Sequence, residues 1–204
     1  MSKNPVIIFE GIEASGKSTN INFVANFLKK RGKKYIKLRE PGGSNFSEHI
    51  RKILLNKNLK LDFKTDLLLF YCARSENFKK IIKKNYKKKI ILIDRFTDST
   101  IAYQHYGMNI DLNIINSLNK FIIGNFSPDI TFLSTVNIKN LKLRLKKRLK
   151  LNRYDKFNSN FYSKVQKGYL KLSNKNKKYI IIDSNKKSIS NVKEIISRKL
   201  EKFI

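Results

Sequence analysis

The chain has 204 residues, 41% of them apolar, and no apolar run approaches the about 20 residues of a membrane span, so it reads as one soluble domain with a sizeable core. Segment 1–9 lacks the apolar stretch and small-residue cleavage site of a secretory signal, and the single Cys72 excludes an internal disulfide; both place the chain in a reducing cytoplasm. Forty-five Lys and Arg against fifteen Asp and Glu give a net charge of +30, which leaves three readings open: nucleic-acid binding, attraction of anionic small molecules, or a lysine drift over solvated faces. Dispersal of the lysines and the absence of aromatic interleaving favour the last.

In chain order, an apolar run at 6–9 predicts a first buried strand, followed at 18–30 by a helix with Ile21, Val24, Ala25 and Leu28 on one face and Gly32 placed to stop it. A second strand is expected at 35–38, then helices at 48–55 and 65–84, and a third strand at 90–93. Segment 113–123 carries Ile114, Ile115, Leu118 and Ile122 on one helical face. Further strands are expected at 130–133 and 179–182, with helices at 138–149, 159–172 and 188–203. Alternating strands and helices, without repeats or a Pro/Ser-rich linker, predict a single α/β domain over 1–204: a doubly wound, five-stranded parallel sheet flanked by helices. Ligands of such folds bind at the carboxyl ends of the strands.

Gly11-Ile12-Glu13-Ala14-Ser15-Gly16-Lys17-Ser18 matches G-x-x-x-x-G-K-[S/T] between a predicted strand and a predicted helix, and Thr19 follows. The glycines allow backbone amides and the helix N-terminus to face a triphosphate. Lys17 supplies charge to the β and γ phosphates, and the Ser18 hydroxyl is placed for Mg²⁺. Glu13 sets a carboxylate among phosphate-binding positions, where it suits a sugar hydroxyl of a second substrate, a neighbouring lysine or solvent. At the end of I-I-L-I-D-R, Asp94 suits a metal-holding carboxylate and Arg95 a phosphate clamp, unless the two merely pair at a strand end.

Beyond the phosphate loop, the chain carries R-E-P-G-G-S at 39–44, L-L-F-Y-C-A-R at 68–74, D-R-F-T-D-S-T-I-A-Y-Q at 94–104, P-D-I-T-F-L at 128–133 and a basic stretch running into N-R-Y-D at 144–155. In this order and spacing the sequence resembles the thymidylate kinase family. The resemblance implies a three-layer P-loop kinase fold that moves the γ-phosphoryl of ATP to dTMP with Mg²⁺, as a homodimer. No membrane and no specific nucleic-acid partner is expected.

It further implies that Arg39 contacts the acceptor phosphate, Phe70 stacks on thymine, and Arg74, one turn on at i+4, reads the base edge. Without it, Phe70 reads as core and Arg74 as a surface charge. Arg95 would bridge donor and acceptor phosphates, Ser99 and Gln104 lie near the base, Tyr103 crowds the sugar 2′ position, and Glu13 meets the 3′-hydroxyl. Residues 144–155 resemble the family's LID, a flap over ATP. Ala14 stands where one branch of the family has its catalytic arginine, so the LID is expected to supply it, from Arg148 and Arg153 with Arg144 next. Leu149 and Lys150 depart from the family's usual glycine and acid. The rivals are a kinase for another monophosphate, a basic nucleic-acid-binding P-loop protein, and an inactive kinase.

Overall fold

The computed structural model describes residues 4–185 and 188–204, so the first three residues of segment 1–9 and Lys186 and Lys187 lie outside it. Five strands, β1 (Val6–Glu10), β2 (Tyr35–Arg39), β3 (Ile90–Asp94), β4 (Ile130–Thr135) and β5 (Tyr179–Asp183), pair in parallel in the order β2-β3-β1-β4-β5. The expected strands are all present, each extended by one or two residues. The near-continuous apolar runs of β1, β3 and β4 follow from burial on both faces, while the edge strands β2 and β5 are only partly buried. Ile7, Phe9, Leu92 and Phe132 point to one side, where Val24 and Leu28 of α1 (Lys17–Lys30) and Ile196 and Leu200 of α9 (Ile189–Leu200) cover them. Val6, Ile8, Ile91 and Ile93 point to the other, against Leu38, Ile82, Phe96 and Ile123. Burying each such side chain contributes about 1.5–3 kcal/mol, and this third layer completes the expected sandwich.

The helices between α1 and α9 are α2 (Asn45–Leu55), α3 (Phe63–Asn77), α4 (Lys83–Asn85), α5 (Thr97–Thr100), α6 (Leu112–Ile123), α7 (Ile138–Lys146) and α8 (Ser159–Asn174). The helix expected at 65–84 runs as α3, a π-helical turn Phe78–Ile82 and α4. Segment 97–107, for which no helix was expected, forms α5 and a seven-residue π turn, Ile101–Gly107. The helix expected at 138–149 stops at Lys146, and Leu149 stands fully exposed in the loop beyond it. Nothing apolar packs there to offset the entropy of ordering another turn. A 3₁₀ turn, Arg153–Lys156, precedes α8 and is closed by a capping box between Asn152 and Asp155. The π turn and α8 approach closely: a Cβ on Gly168 would lie 2.4 Å from the Tyr106 ring.

The connection after β1 leaves toward β2 and that after β3 toward β4, so the two adjacent strands release their chains to opposite faces. That opens a crevice at their carboxyl ends. Among the described residues, no helix is long and apolar enough to cross a membrane.

Candidate active site

The phosphate loop turns directly off the central strand. Gly11 has φ +136°, and a Cβ there would sit 2.2 Å from the Ser134 carbonyl oxygen of β4. Gly16, φ +98°, opens α1. The loop residues Ala14, Ser15, Gly16, Lys17, Ser18 and Thr19 line a first cavity, closed on its far side by Arg144 and by Ile182, Ile189 and Val192. Arg144 is fixed there: it donates to the Ala14 carbonyl at 2.9 Å and to the Ser184 carbonyl at 2.8 Å. Gly11, Ile12 and Glu13 of the expected ATP set do not line this cavity. Ile12 is fully buried in the core, while its carbonyl and that of Gly11 accept from Lys17 Nζ at 2.7 and 2.8 Å.

A second cavity adjoins the first. Glu13, Phe70, Arg74, Arg95, Ser99, Tyr103 and Gln104 line it, together with Asp94 and Tyr154. Lys17, Ser18 and Arg148 border both cavities. Arg95 has φ +68°, a left-handed backbone that costs a non-glycine residue about 1–2 kcal/mol. It places the guanidinium 5.0 Å above the Tyr103 ring, with a 2.9 Å ion pair to Glu13 and contacts to Ser99 and the Tyr169 hydroxyl. The Tyr103 hydroxyl donates to the second oxygen of Glu13. Behind this group, Glu10 is fully buried and accepts from the Phe96 and Ser99 amides and from the Ser99 and Tyr169 hydroxyls. Burial, reinforced by Asp98, raises the Glu10 pKa, and its bond from Ser99 opposes that rise.

Arg74 is not the surface charge that its isolated spacing gives. It is 1% exposed, donating to Glu40 at 2.8 Å and to the Phe96 carbonyl at 3.0 Å. Its Nη1, like Gln104 Nε2, has no hydrogen-bond partner among the described residues, and both side chains border the second cavity beside Phe70. Two buried donors beside an aromatic ring suit the polar edge of a planar base. Asp94 Oδ1 is likewise without a partner among the described residues, at the border with Ser18.

Besides Gly11 and Ile12, two further expected site residues line neither cavity. Arg39 does not line either cavity, although its neighbours Glu40 and Pro41 line the second; it is half-exposed, its guanidinium paired instead with Glu48 at 3.1 Å. Arg51 of α2 occupies the cavity border instead, fixed to the Pro41 carbonyl at 2.7 Å. Arg153 is turned away from both cavities, toward Asp66 of α3 and the Leu54 carbonyl. The 3₁₀ turn aims it there, since pairing satisfies a carboxylate with no exposure to water. Sequence patterns did not single out Arg51, Tyr154, Glu10 or Tyr169; only Glu10 carries a local signal, as the last residue before the phosphate loop.

Burial and the nearby Arg95 charge lower the pKa of Lys17 to about 7. An arriving triphosphate restores the preference for the ammonium form, so binding above pH 7 takes up a proton, whereas below about pH 6 the amine is already charged. Calorimetric titration with ATP at pH 8, in buffers of differing ionisation enthalpy, is expected to show uptake approaching about one proton, absent in Lys17→Met.

A phosphate loop facing one cavity, with its lysine shared by a second cavity of aromatic and cationic walls, defines a P-loop phosphotransferase acting between two nucleotides. The comparisons with known proteins agree. Residues 9–196 match the family model described as thymidylate kinase. The chain is 42% identical over 199 residues to the thymidylate kinase of Thermosipho africanus, covering 97% of this chain and 98% of that one. It is 42% identical over 170 residues to that of Wolbachia pipientis, covering 82% and 84%. The crystal structure of thymidylate kinase from Ehrlichia chaffeensis superposes with a TM-score of 0.79 at 34% identity, covering 97% and 98%. The chain belongs to the thymidylate kinase family.

Proposed function

We infer that this chain transfers the γ-phosphoryl group of ATP to dTMP, giving ADP and dTDP for dTTP synthesis. The observation that carries the reading is the sharing of Lys17, Ser18 and Arg148 by the two cavities, which sets the point of transfer where they meet. ATP takes the first cavity, its phosphates on the loop amides and the adenosine toward Arg144, Ile189 and Val192. The acceptor takes the second, its base beside Phe70 with Arg74 Nη1 and Gln104 Nε2 donating to it. Tyr103 leaves little room for a 2′-hydroxyl, and Glu13 both aims Arg95 and offers an acceptor to the sugar.

Transfer is then an in-line attack by an acceptor phosphate oxygen on the γ-phosphorus, and the protein supplies position and charge rather than covalent chemistry. Lys17 and Arg148 stand where the cavities meet and Arg95 on the acceptor side; Arg51 takes the place expected of Arg39 at the acceptor phosphate, and Arg153 is not part of the set. Asp94, whose Oδ1 has no partner among the described residues, and Ser18 both line the second cavity, and their oxygens suit an oxygen-ligated Mg²⁺. Held by Ser18 and Asp94, Mg²⁺ would supply positive charge against the negative charge developing on the transferred phosphoryl group. We further propose that 1–204 acts as one unit with its flap at 144–155, that it works in the cytoplasm, and that it forms a homodimer. Exposed apolar side chains on the touching helices α3 (Leu68) and α6 (Ile114 and Phe121) support the homodimer, which sedimentation tests.

The decisive experiment is ADP release from MgATP with dTMP, dUMP, UMP, dCMP, dGMP and AMP as acceptors. Turnover is expected to be highest with dTMP. Equal or greater turnover with another monophosphate would overturn the assignment of Phe70, Arg74 and Tyr103 while keeping the kinase, and no turnover with any would overturn both.

A further inference from the structure

One buried polar cluster beside the site has no part in the transfer chemistry. Asp66, in the first turn of α3, has no exposed side-chain surface, and its carboxylate accepts from Arg153 Nη2 and from the Tyr154 hydroxyl. Arg153 Nε also donates to the Leu54 carbonyl at the end of α2, at 3.1 Å. The Tyr154 carbonyl accepts from the Tyr162 hydroxyl of α8 at 2.6 Å. The turn that carries Arg153 and Tyr154 is thus tied to three helices.

The same turn touches both nucleotide sites. The Tyr154 ring borders the acceptor cavity, its centroid 6.0 Å from those of Phe70 and of Tyr103 and steeply inclined to each. Its neighbour Asp155 accepts from Arg148, the flap arginine shared by the two cavities, at 2.5 Å, and from the Asn152 amide at 2.9 Å. The Tyr154 ring and the Arg148–Asp155 ion pair are thus carried by consecutive residues of one turn.

We propose that Asp66, Arg153 and Tyr154 are positioning residues that couple the two sites, so that a nucleotide in the acceptor cavity fixes the 3₁₀ turn and thereby sets Arg148 over the donor phosphates. Asp66 is the fixed end of the coupling: it holds the tyrosine hydroxyl and the arginine against α3, the helix that also carries Phe70 and Arg74. The proposal rests on the acceptor reading given above.

Binding of the magnesium complex of a non-hydrolysable ATP analogue, with and without saturating dTMP, tests it. In the wild-type protein each ligand is expected to tighten the other by the same factor, at least about fivefold. In Asp66→Asn the affinity for the analogue alone is expected to be retained while that factor falls to about one. A residue that only supported the fold would lower the melting temperature and leave the factor unchanged. Tyr154→Phe keeps the ring and its packing and removes only the bond to Asp66; it is expected to reduce the factor, and it decides the matter if Asp66→Asn does not fold. Wild-type protein that binds both ligands independently, or a folded Asp66→Asn that keeps the full factor, would overturn the proposal alone. Protein that binds the analogue but not dTMP would overturn the acceptor reading and this proposal with it.

Discussion

Arg95→Ala is expected to lower kcat with dTMP by a factor on the order of 10³ or more, the scale seen when an arginine is removed from a phosphoryl-transfer site. The side chain lines the second cavity with only 20% of its surface exposed, and water cannot reproduce a cation so placed. The same substitution is expected to destabilise the fold, because Glu13, 9% exposed, loses its ion partner and keeps only the Tyr103 hydroxyl. Stranding a buried carboxylate costs about 3 kcal/mol. The two effects separate in the double variant Glu13→Gln/Arg95→Ala: its melting temperature should recover toward wild type while turnover stays lost. A single variant with near wild-type turnover would remove Arg95 from the transfer machinery.

Lys17→Ala is expected to be comparably severe for turnover, about 10³-fold, and mild for stability. Lys17 is buried and its amine is held by two loop carbonyls, so its removal deletes a desolvated cation from the free protein. Lys17 itself lines both cavities, so water can enter the space its side chain leaves. Measured together, ADP release and thermal melting should show an inactive protein that melts within a few degrees of wild type. A large fall in melting temperature instead would mean that the lysine's main role is to hold the loop.

Much of the architecture was legible because its signals are local. A strand buried on both faces announces itself as a short apolar run, as β1, β3 and β4 do, and the edge strands β2 and β5 carry shorter versions of the same signal. The phosphate loop is equally local, since the turn, the glycines and the lysine occupy eight consecutive residues. The resemblance carried further, to Phe70, Arg74, Ser99, Tyr103 and Gln104, which do gather at one cavity. What escaped depends on contacts between distant parts of the chain. Spacing does not foretell that Arg153 faces Asp66, 87 positions earlier, and lines neither cavity. Nor does it foretell that Tyr169 reaches Glu10 across 159 positions. Which of Arg39 and Arg51 meets the cavity follows from their partners, Glu48 for the one and the Pro41 carbonyl for the other, and not from their spacing. The π turn over 101–107 was missed because its residues, Ile-Ala-Tyr-Gln-His-Tyr-Gly, are ordered by packing on α8 rather than by a period of their own.

The place of β1 in the sheet has a consequence for accuracy. Its carboxyl end supplies the phosphate loop, while the Phe9 carbonyl holds the Arg95 amide at 3.0 Å and Glu10 holds the amides of Phe96 and Ser99. Donor and acceptor sites are therefore both measured from a single datum, a strand locked between two neighbours. Errors in either site do not accumulate through a chain of intervening loops. An enzyme that must bring two mobile nucleotides into line needs only one rigid reference, and here two adjacent residues at the end of one strand provide it.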